Sequence, residues 1–337
     1  MILQRNPVEN EGGGIRMVRN APTQVTAPTL TQRRRKSARF RQFIPLYLML
    51  LPGFIYLIIN NYLPMAGLLL AFKKVNYSLG FLASPWVGLD NFAFVTKTQD
   101  AALIFRNTIL YNLAFILLGN LLAILVAVAL ETVKHKWFQK TSQVIILIPY
   151  LLSTIIISYI VVGFLSHSNG FINKSIIEPM GGKAISWYNQ PKYWPYILTI
   201  VYLWMSFGYS SILYYSTLIG IDKSLYEAAV MDGAGTWKQI IHVTLPCLKT
   251  TIITLVLLAV GRICYSDFGL FYQVPNRSGM LLSATQTIDT YVYRSLLELN
   301  DIGRSSAAGF LQSILGFILV LTANLVVSKI DSDSALF

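Results

Sequence analysis

The sequence predicts an all-α polytopic membrane protein with six transmembrane helices and a cytoplasmic loop of two short helices. Of its 337 residues, 54% are hydrophobic and only 12% are charged, against roughly 25% charged residues in soluble domains. Six apolar runs are each long enough to cross a bilayer, which takes about 20 helical residues at about 1.5 Å per residue. The two cysteines are too few for a disulfide framework. A bilayer is therefore the solvent that this chain requires.

The six predicted spans follow one another through short or moderate connections. The first is preceded by a long basic stretch and ends in Asn60-Asn61, without the small residues of a signal-peptide cleavage site. We therefore treat it as a span and not as a removed leader. The spans cover residues 43–63, 107–130, 143–165, 193–219, 251–272 and 307–329.

The distribution of Lys and Arg predicts the orientation of these spans. Nine of the 27 basic residues lie in residues 1–42, directly before the first span. This predicts a disordered basic tail in the cytoplasm, a transmembrane domain over residues 43–330 and a second cytoplasmic tail over residues 331–337. Lysines in the loops after spans two and four agree with this orientation, whereas Lys73 and Lys74 oppose it. The net charge of +12 does not indicate nucleic-acid binding, because the excess is a juxtamembrane tail on an apolar chain.

The connection between spans four and five, residues 220–250, is too long for a tight turn and carries its own signals. Ser224 and Glu227 have the spacing of a capping box, which predicts a helix that begins after Ser224. Gly233 and Gly235 are expected to end this helix, because glycine tolerates the positive φ that a helix stop often needs.

A second short helix is predicted directly after these glycines. Thr236 and Gln239 repeat the capping-box spacing. Pro246 lacks an N–H group and restricts the residue before it, so we expect it to end this helix and turn the chain into span five. The loop is thus two short helices joined at a glycine elbow.

The first loop helix has the composition of a helix that docks in a groove of another protein. Ala228 and Ala229 are small enough for a partner to approach the backbone, and Glu227 can accept hydrogen bonds. Leu225 and Tyr226 supply apolar anchors. The alternative is an amphipathic helix that merely packs at the membrane surface.

The same loop resembles the signature of the permease subunits of ATP-binding-cassette (ABC) importers. Glu227-Ala228-Ala229, three residues, Gly233, nine residues and Val243-x-Leu245-Pro246 match the family pattern, with Val243 in place of the usual Ile. Residues 170–173 (Gly-Phe-Ile-Asn) and 204–234 resemble carbohydrate-importer permeases. The segment that contains Trp86, Asn91 and Phe92 is similar to a subgroup associated with complex oligosaccharides, including those that bear uronic acids.

The resemblance implies the type I ABC importer permease fold in a bacterial inner membrane, with both termini cytoplasmic. It also implies four kinds of partner: a second permease subunit, two ATPase subunits that bind ATP and Mg²⁺, an extracytoplasmic solute-binding protein and an oligosaccharide. The second permease subunit is either identical or non-identical, and we expect a non-identical one. This chain itself would bind no cofactor. The ATPase would contact Leu225, Tyr226, Glu227, Ala228, Ala229, Met231, Asp232, Gly233, Ala234, Leu245 and Pro246.

The chain carries no recognisable catalytic motif. The nearest candidate for a phosphate-binding loop is Gly181-Gly182-Lys183, which lacks the earlier glycine and is followed by Ala184 where the motif has Ser or Thr. The three histidines lie in different loops and have no metal-ligand spacing. We therefore expect no enzymatic activity in this chain and a separate ATPase.

Polar residues inside spans are costly and therefore informative. Span four contains Ser206, Tyr209 and Ser210, and span five contains Arg262, Ser266 and Asp267. The spacing predicts that Arg262 and Ser266 share a helix face near mid-depth. These six side chains either line a translocation path or pair between helices and with the partner permease. Hydroxyls and aromatic faces suit sugars, and an Arg suits the carboxylate of a uronate.

The predicted function is that of a permease subunit in an ATP-driven, binding-protein-dependent importer of an oligosaccharide. The alternative is a secondary transporter driven by an ion gradient, which predicts more spans, or broken helices with ionisable groups in both halves. A membrane-embedded enzyme is disfavoured because no nucleophile or metal constellation appears in the sequence.

Overall fold

The structure is a computed structural model that describes residues 30–133 and 135–330. Most of the predicted N-terminal tail, residues 1–29, and the predicted C-terminal tail, residues 331–337, lie outside the described residues. The chain divides after Leu63 into two compact units.

The first unit contains helix α1, Leu30–Leu57, followed by a π-helical turn at Ile58–Tyr62. Residues 30–42 were expected in the disordered tail, but they form the start of α1. The physical reason is their composition, since the Arg, Lys, Gln, Ala and Leu residues in this stretch all favour a helix.

The second unit is built from helices, and its strand pairing in the described residues is one isolated bridge between Lys73 and Trp86. Its longer helices are α2 (Gln99–Thr132), α3 (Lys136–Leu151), α4 (Thr154–Leu165), α5 (Trp194–Leu218), α6 (Lys223–Met231), α7 (Leu245–Gly261), α8 (Phe268–Gln273), α9 (Ile288–Leu297) and α10 (Ile302–Ile330). One-turn α-helices lie at Leu63–Met65, Gly80–Ala83, Phe94–Lys97, Thr236–Gln239 and Leu282–Thr285. Short 3₁₀ helices lie at Ala66–Phe72, Asp90–Ala93, Trp187–Asn189, Pro191–Tyr193 and Gly279–Leu281.

Five helical segments among the described residues are long and apolar enough to cross a membrane, and a bent pair of helices supplies a sixth. The predicted all-α, six-span class is therefore confirmed. The segments are Phe43–Phe72, Asp100–Thr132, Pro191–Leu218, Thr236–Gly261 and Ile302–Lys329, and the bent pair is Lys136–Leu151 with Thr154–Leu165.

The third span is a broken helix, and its prediction as one helix over residues 143–165 is wrong. Helices α3 and α4 meet at an angle of 94°. Ser153 caps α4, because its hydroxyl accepts a hydrogen bond from the N–H of Ile156. Pro149 lies in the last turn of α3, where its missing N–H removes a helical hydrogen bond.

The fifth span is also displaced from its prediction at residues 251–272. Its helical segment runs from Thr236 to Gly261. Residues 262–267 then leave the helical conformation, and α8 begins at Phe268. The apolar run in the sequence continues across this break, so hydropathy alone does not show where the helix ends.

Three π-helical turns in the described residues each end two residues before a proline. In each turn the residue before the proline donates its N–H to the carbonyl five residues back, as Leu245 does to Ile240. A proline ring clashes with the carbonyl four residues before it in a regular helix, and the wider turn relieves that clash. The turns are Ile58–Tyr62 before Pro64, Asn173–Ile177 before Pro179, and Ile240–Thr244 before Pro246.

The core of the second unit forms where α2 and α5 pack along each other and against the broken third span. Helices α3 and α5 approach so closely at Gly208 that a Cβ atom there would collide with the carbonyl oxygen of Ile146. Small residues allow such close approach between membrane helices. The central cluster of buried side chains includes Ile157, Trp194, Leu198, Leu270 and Phe271.

Two polar residues organise the loops at the starts of α2 and α5. Lys73, whose charge opposed the predicted orientation, is buried. Its ammonium donates to the carbonyl of Leu82 at 2.6 Å and lies 4.9 Å from the centre of the Trp86 ring. Asn173, in the Gly-Phe-Ile-Asn motif, is also buried and bonds both the N–H and the carbonyl of Ile185. Lys73 is thus a structural residue of this loop.

Candidate functional site

Polar and aromatic side chains form one face in the middle of α5. Tyr202, Ser206 and Tyr209 are spaced by four and three residues, so they lie on one side of the helix. Tyr209 is 45% exposed, and its ring stacks on that of Tyr150 at the end of α3, with ring centroids 4.7 Å apart. The Ser206 hydroxyl donates to the Tyr202 carbonyl at 2.8 Å, which leaves its oxygen free to accept. This face offers aromatic rings and a hydroxyl to a ligand.

The helices on either side of the break in the fifth span pack against α5, and side chains from other helices satisfy the main chain of the break. Asn112 on α2 donates to the carbonyls of Ile263 and Tyr265, at 2.9 and 3.0 Å. Gln312 on α10 donates to the carbonyl of Cys264 at 2.8 Å. Irregular backbone at membrane depth requires such partners, because hydrocarbon offers none. The break is therefore a built feature of the fold.

Asp289 on α9 completes this network. One of its carboxylate oxygens accepts from the N–H of Ser266 at 2.6 Å and from the Ser266 hydroxyl at 2.8 Å. The Ser266 hydroxyl also lies 2.7 Å from that of Thr287. Among the described residues no group of three His, Cys, Asp or Glu side chains could hold a metal. The network therefore consists of hydrogen bonds that fix the conformation of the break.

Arg262 and Asp267 lie at the two ends of the break. Asp267 caps α8 by accepting a hydrogen bond from the N–H of Leu270 at 2.9 Å. Arg262 is exposed, and its guanidinium has no hydrogen-bond or ion-pair partner in the part of the chain that the structure describes. The two helices that the break joins, α7 and α8, both pack against α5. The break thus places one unpaired cation between two helices that pack against α5.

The structure corrects part of the predicted arrangement. Arg262 and Ser266 do not share a helix face, because the helix ends at Gly261. Ser206 and Tyr209 do lie together on α5, and Arg262 and Asp267 lie at the ends of a break whose two helices pack against α5. Ser210 is half-buried and follows Tyr209, one position off the shared face.

Sequence reasoning missed several residues of this site. Asp289 and Gln312 are hydrogen-bonded although they are 23 residues apart in the sequence, and no local pattern predicts that pairing. Gln312 carried one usable signal, since it is a polar residue within the predicted sixth span. Tyr150 and Tyr202 were indistinguishable from ordinary apolar span residues in the sequence.

The loop after α5 contains the first predicted loop helix, α6. It begins earlier than predicted, because Asp222 and not Ser224 is the N-cap. The Asp222 carboxylate accepts a hydrogen bond from the N–H of Ser224 at 3.0 Å. Hydrogen bonds from the backbone and side chain of Ser224 lower the pKa of Asp222 from its ordinary value. The Ser224–Glu227 capping box is therefore wrong as an N-cap.

The predicted stop at Gly233 is confirmed in geometry. Gly233 has φ of +74°. Its N–H donates to the carbonyl of Val230, and the N–H of Ala234 donates to that of Ala229, both at 2.9 Å. These two bonds form a Schellman motif. Gly233 thus sets the angle at which the chain leaves α6.

The second loop helix is the start of the fifth span. Thr236–Gln239 is preceded by Gly235, which makes no side-chain cap, so the predicted Thr236 capping box is wrong. Gln239 instead donates to the Ala234 carbonyl at 2.8 Å. Pro246 does not end this helix, because the π turn before it lets the helix continue to Gly261.

The surface of this loop is apolar and exposed. Met231 is 87% and Trp237 71% exposed, and Leu225 and Val230 are exposed beside them. Tyr226 was expected as an outward anchor, but it is half-buried and its hydroxyl lies 3.0 Å from that of Thr244. Tyr226 thus ties α6 to the start of the fifth span.

The remaining predicted contact residues of this loop differ in exposure. Ala229 and Ala234 are half-buried. The other members of the predicted set are exposed: Glu227, Ala228, Asp232, Gly233, Leu245 and Pro246.

The fold and this loop define a permease subunit of an ABC importer. The chain belongs to the family described as binding-protein-dependent transport system inner membrane component, whose model matches residues 119–332. It is therefore a multi-pass inner-membrane transport protein, as the signature loop predicted. The ion-gradient alternative does not hold, although the two broken spans by themselves would have fitted it.

Individual relatives cover most of the chain. It is 33% identical to protein LplB of Bacillus subtilis over 86% of this chain and 90% of LplB. It is 32% identical to the polygalacturonan/rhamnogalacturonan transport system permease protein YteP of the same organism, over 86% and 89%. Among solved structures, a subunit of a bacterial ABC transporter that imports the acidic polysaccharide alginate superposes with a TM-score of 0.80 at 30% identity, over 88% of this chain and 99% of that one.

Proposed function

We propose that this permease subunit forms half of a translocation path for an acidic, uronate-bearing oligosaccharide. The observation that carries the proposal is Arg262, an unpaired cation at the break in the fifth span, where α7 and α8 both pack against the helix that carries the polar face (Tyr202, Ser206, Tyr209). An unpaired charge in a chain segment between membrane-spanning helices is costly and marks a functional site. The guanidinium matches a carboxylate with two parallel hydrogen bonds.

The relatives support the acidic class of substrate. One is a permease for polygalacturonan and rhamnogalacturonan, and the structural neighbour imports alginate, an acidic polysaccharide. A second solved structure contains the alginate transporter with a pentasaccharide-bound periplasmic protein. A solute-binding protein that delivers a short acidic oligosaccharide is the corresponding partner for this chain.

Coupling to ATP is proposed to run through the loop after α5. Two separate ATPase subunits bind ATP and Mg²⁺, and one of them holds α6 by its exposed apolar side around Met231. This chain then needs no cofactor and no catalytic residue. Only a contact that differs between the ATPase states can move the spans. In this arrangement the loop and both termini lie in the cytoplasm.

A second, non-identical permease subunit is proposed to complete the path. Tyr209 is partly exposed, so the polar face of α5 is open on one side and another subunit can cover it. The breaks in the third and fifth spans line that face from this chain.

The substrate proposal is tested by Arg262→Gln in proteoliposomes that contain the complete importer and loaded binding protein. We expect uptake of trigalacturonate to fall by about tenfold, since a charge-assisted hydrogen bond contributes about 1.5–3 kcal/mol. Uptake of the carboxyl-reduced, neutral trisaccharide should keep its wild-type rate. Arg304→Gln is the control, because Arg304 is ion-paired with Asp301 at the start of α10. Equal uptake of trigalacturonate by the wild type and Arg262→Gln would refute the role of Arg262.

A further inference from the structure

A groove of about 460 Å³ opens at the end of the spans that lies away from the loop after α5. The first turns of α2 and α5 and the short helix Leu282–Thr285 form its walls. Its polar lining residues include Arg106, Asn107, Lys192 and Thr199. The groove is separate from the loop after α5 and from the site at the break in the fifth span, because no residue of either lines it.

The groove continues the polar face of α5 towards the end of the span. Pro195 and Thr199 line it, and they precede Tyr202 by seven and three residues. This spacing puts them on the same side of the helix as the polar face. At about 1.5 Å per residue, Pro195 lies roughly 10 Å along the helix axis from Tyr202. The Tyr202 ring stacks on Phe115 of α2, with centroids 3.8 Å apart, so α2 and α5 together connect groove and site.

The groove carries positive charge, and hydrogen bonds fix one of its walls. Arg106 and Lys192 are exposed at its rim, and none of its described lining residues is Asp or Glu. Asn107 donates to the carbonyls of Ser283 and Gln286, at 3.2 and 3.0 Å. Tyr111 donates to the carbonyl of Ala284 at 2.8 Å. These bonds hold the wall in place. The Arg106 guanidinium donates to the Asn107 amide oxygen at 3.2 Å and Lys192 Nζ lies 4.7 Å from the centre of the Tyr193 ring, and both residues line the preformed cavity.

We propose that this groove is an entry subsite, in which Arg106 and Lys192 bind a carboxylate of the acidic oligosaccharide before a carboxylate reaches Arg262. The proposal rests on the proposed function, because it assigns the same substrate class to the same face of α5. Arg106 can hold a carboxylate through two N–H groups, and Lys192 adds a point charge. An oligosaccharide with several carboxylates then passes from one cationic position to the next along a single helix face.

The apolar part of the lining, Leu110 and Ala114, would also suit the acyl chain of an anionic phospholipid. The continuity of the groove with the face of Tyr202 favours the saccharide. A lipid site would be expected on a face that does not lead to the break in the fifth span. The experiment distinguishes the two ligands.

The test compares the double variant Arg106→Gln/Lys192→Gln with the wild type in proteoliposomes that hold the complete importer. Uptake of trigalacturonate and of its carboxyl-reduced form is measured at limiting concentrations of loaded binding protein. We expect the variant to import trigalacturonate about tenfold more slowly and the neutral trisaccharide within twofold of the wild type. Lys183→Gln is the control, since Lys183 is an exposed cation between α4 and α5 that does not line the groove.

Two results would overturn the entry subsite while leaving the proposed function intact. One is wild-type uptake of trigalacturonate by the double variant, with Arg262→Gln still defective. The other is an equal fall for both sugars together with loss of a copurifying anionic phospholipid in native mass spectrometry, which would make the groove a lipid site. Failure of the wild-type importer to take up trigalacturonate would instead overturn the proposed function, and the entry subsite with it.

Discussion

Gln312 of the sixth span donates hydrogen bonds to both carboxylate oxygens of Asp289, at 3.1 and 3.2 Å. The same amide nitrogen donates to the carbonyl of Cys264, and Asp289 accepts from the N–H of Ser266. This pair of side chains therefore fixes the main chain at both Cys264 and Ser266, within the turn that interrupts the fifth span. The position of Arg262 depends on this pair, although neither member touches it.

Gln312→Leu should destabilise the break. The change roughly keeps the side-chain volume, but it leaves the buried Cys264 carbonyl without its donor and removes the Gln312 bonds to the Asp289 carboxylate, which keeps those from Ser266. Each unsatisfied buried group costs about 1–3 kcal/mol. We expect a thermal midpoint of the purified importer that is lower by several degrees, and weaker uptake. Gln139→Leu removes a single hydrogen bond, from the Gln139 amide to the Leu130 carbonyl at 2.9 Å, and should have the smaller effect. Equal midpoints for the two variants would contradict this account.

Gly208→Ala should separate α3 from α5. Its new Cβ atom would collide with the Ile146 carbonyl, and overpacking of this kind typically costs about 1–3 kcal/mol. Because Tyr150 stacks on Tyr209 next to this contact, substrate uptake should fall together with stability. Gly163→Ala in α4 is the matched control, as a Cβ atom there meets no other atom within 4 Å. Thermal unfolding and uptake of both variants check the prediction, which fails if Gly208→Ala behaves like its control.

Gly233→Pro should uncouple transport from ATP hydrolysis. Proline fixes φ near −65°, whereas Gly233 has φ of +74°, and proline also lacks the N–H that binds the Val230 carbonyl. Glu227→Lys should have a similar effect by reversing an exposed charge on α6. Uptake and the stimulation of ATPase activity by substrate should both fall while basal ATPase activity remains, with normal insertion and expression. Wild-type uptake in both variants would defeat the proposed coupling.

Asp222 gives a pH-dependent prediction for α6. Its pKa is lowered by hydrogen bonds from Ser224, so the capping contribution is fully present above the ordinary Asp pKa and is lost only as pH falls through the lowered value. Hydrogen exchange of residues 223–231 should therefore report an intact cap between about pH 5 and pH 8. At pH 7, Asp222→Ala should exchange several-fold faster, whereas Asp222→Asn keeps an acceptor and should remain close to the wild type. Wild-type protection in Asp222→Ala would show that the cap is dispensable.

The sequence allowed the number of spans to be predicted, because long apolar runs have no other solvent than lipid. It did not allow the breaks to be predicted. Hydropathy averages over about 20 residues, and both Leu152 and Ile263 lie inside apolar stretches. The stop at Gly233 was predictable since it depends on one residue's backbone. The start of α6 was misplaced by two residues because Asp222 competes with Ser224 as the N-cap.

The candidate site was predictable only in part. Features that depend on a single residue could be predicted, whereas those that depend on contacts between residues far apart in the sequence could not. Arg262 and Asp267 stood out because charges are rare in spans. Their arrangement could not be derived, since it depends on Asn112, Asp289 and Gln312, which are far away in sequence. Pro246 was expected to end the second loop helix, but the helix passes through it, because the preceding π turn relieves the clash that a proline causes in a regular helix.

The π turn at Ile240–Thr244 gives the fifth span a mechanical property. Since the helix is unbroken over the 26 residues of Thr236–Gly261, it is a rod of roughly 39 Å at about 1.5 Å per residue. Trp237 stands at one tip and Arg262 directly follows the other. A tilt imposed at the Trp237 tip would be transmitted directly along this helix, so a small rotation at one end becomes a displacement of the Arg262 guanidinium at the other end, roughly 39 Å away.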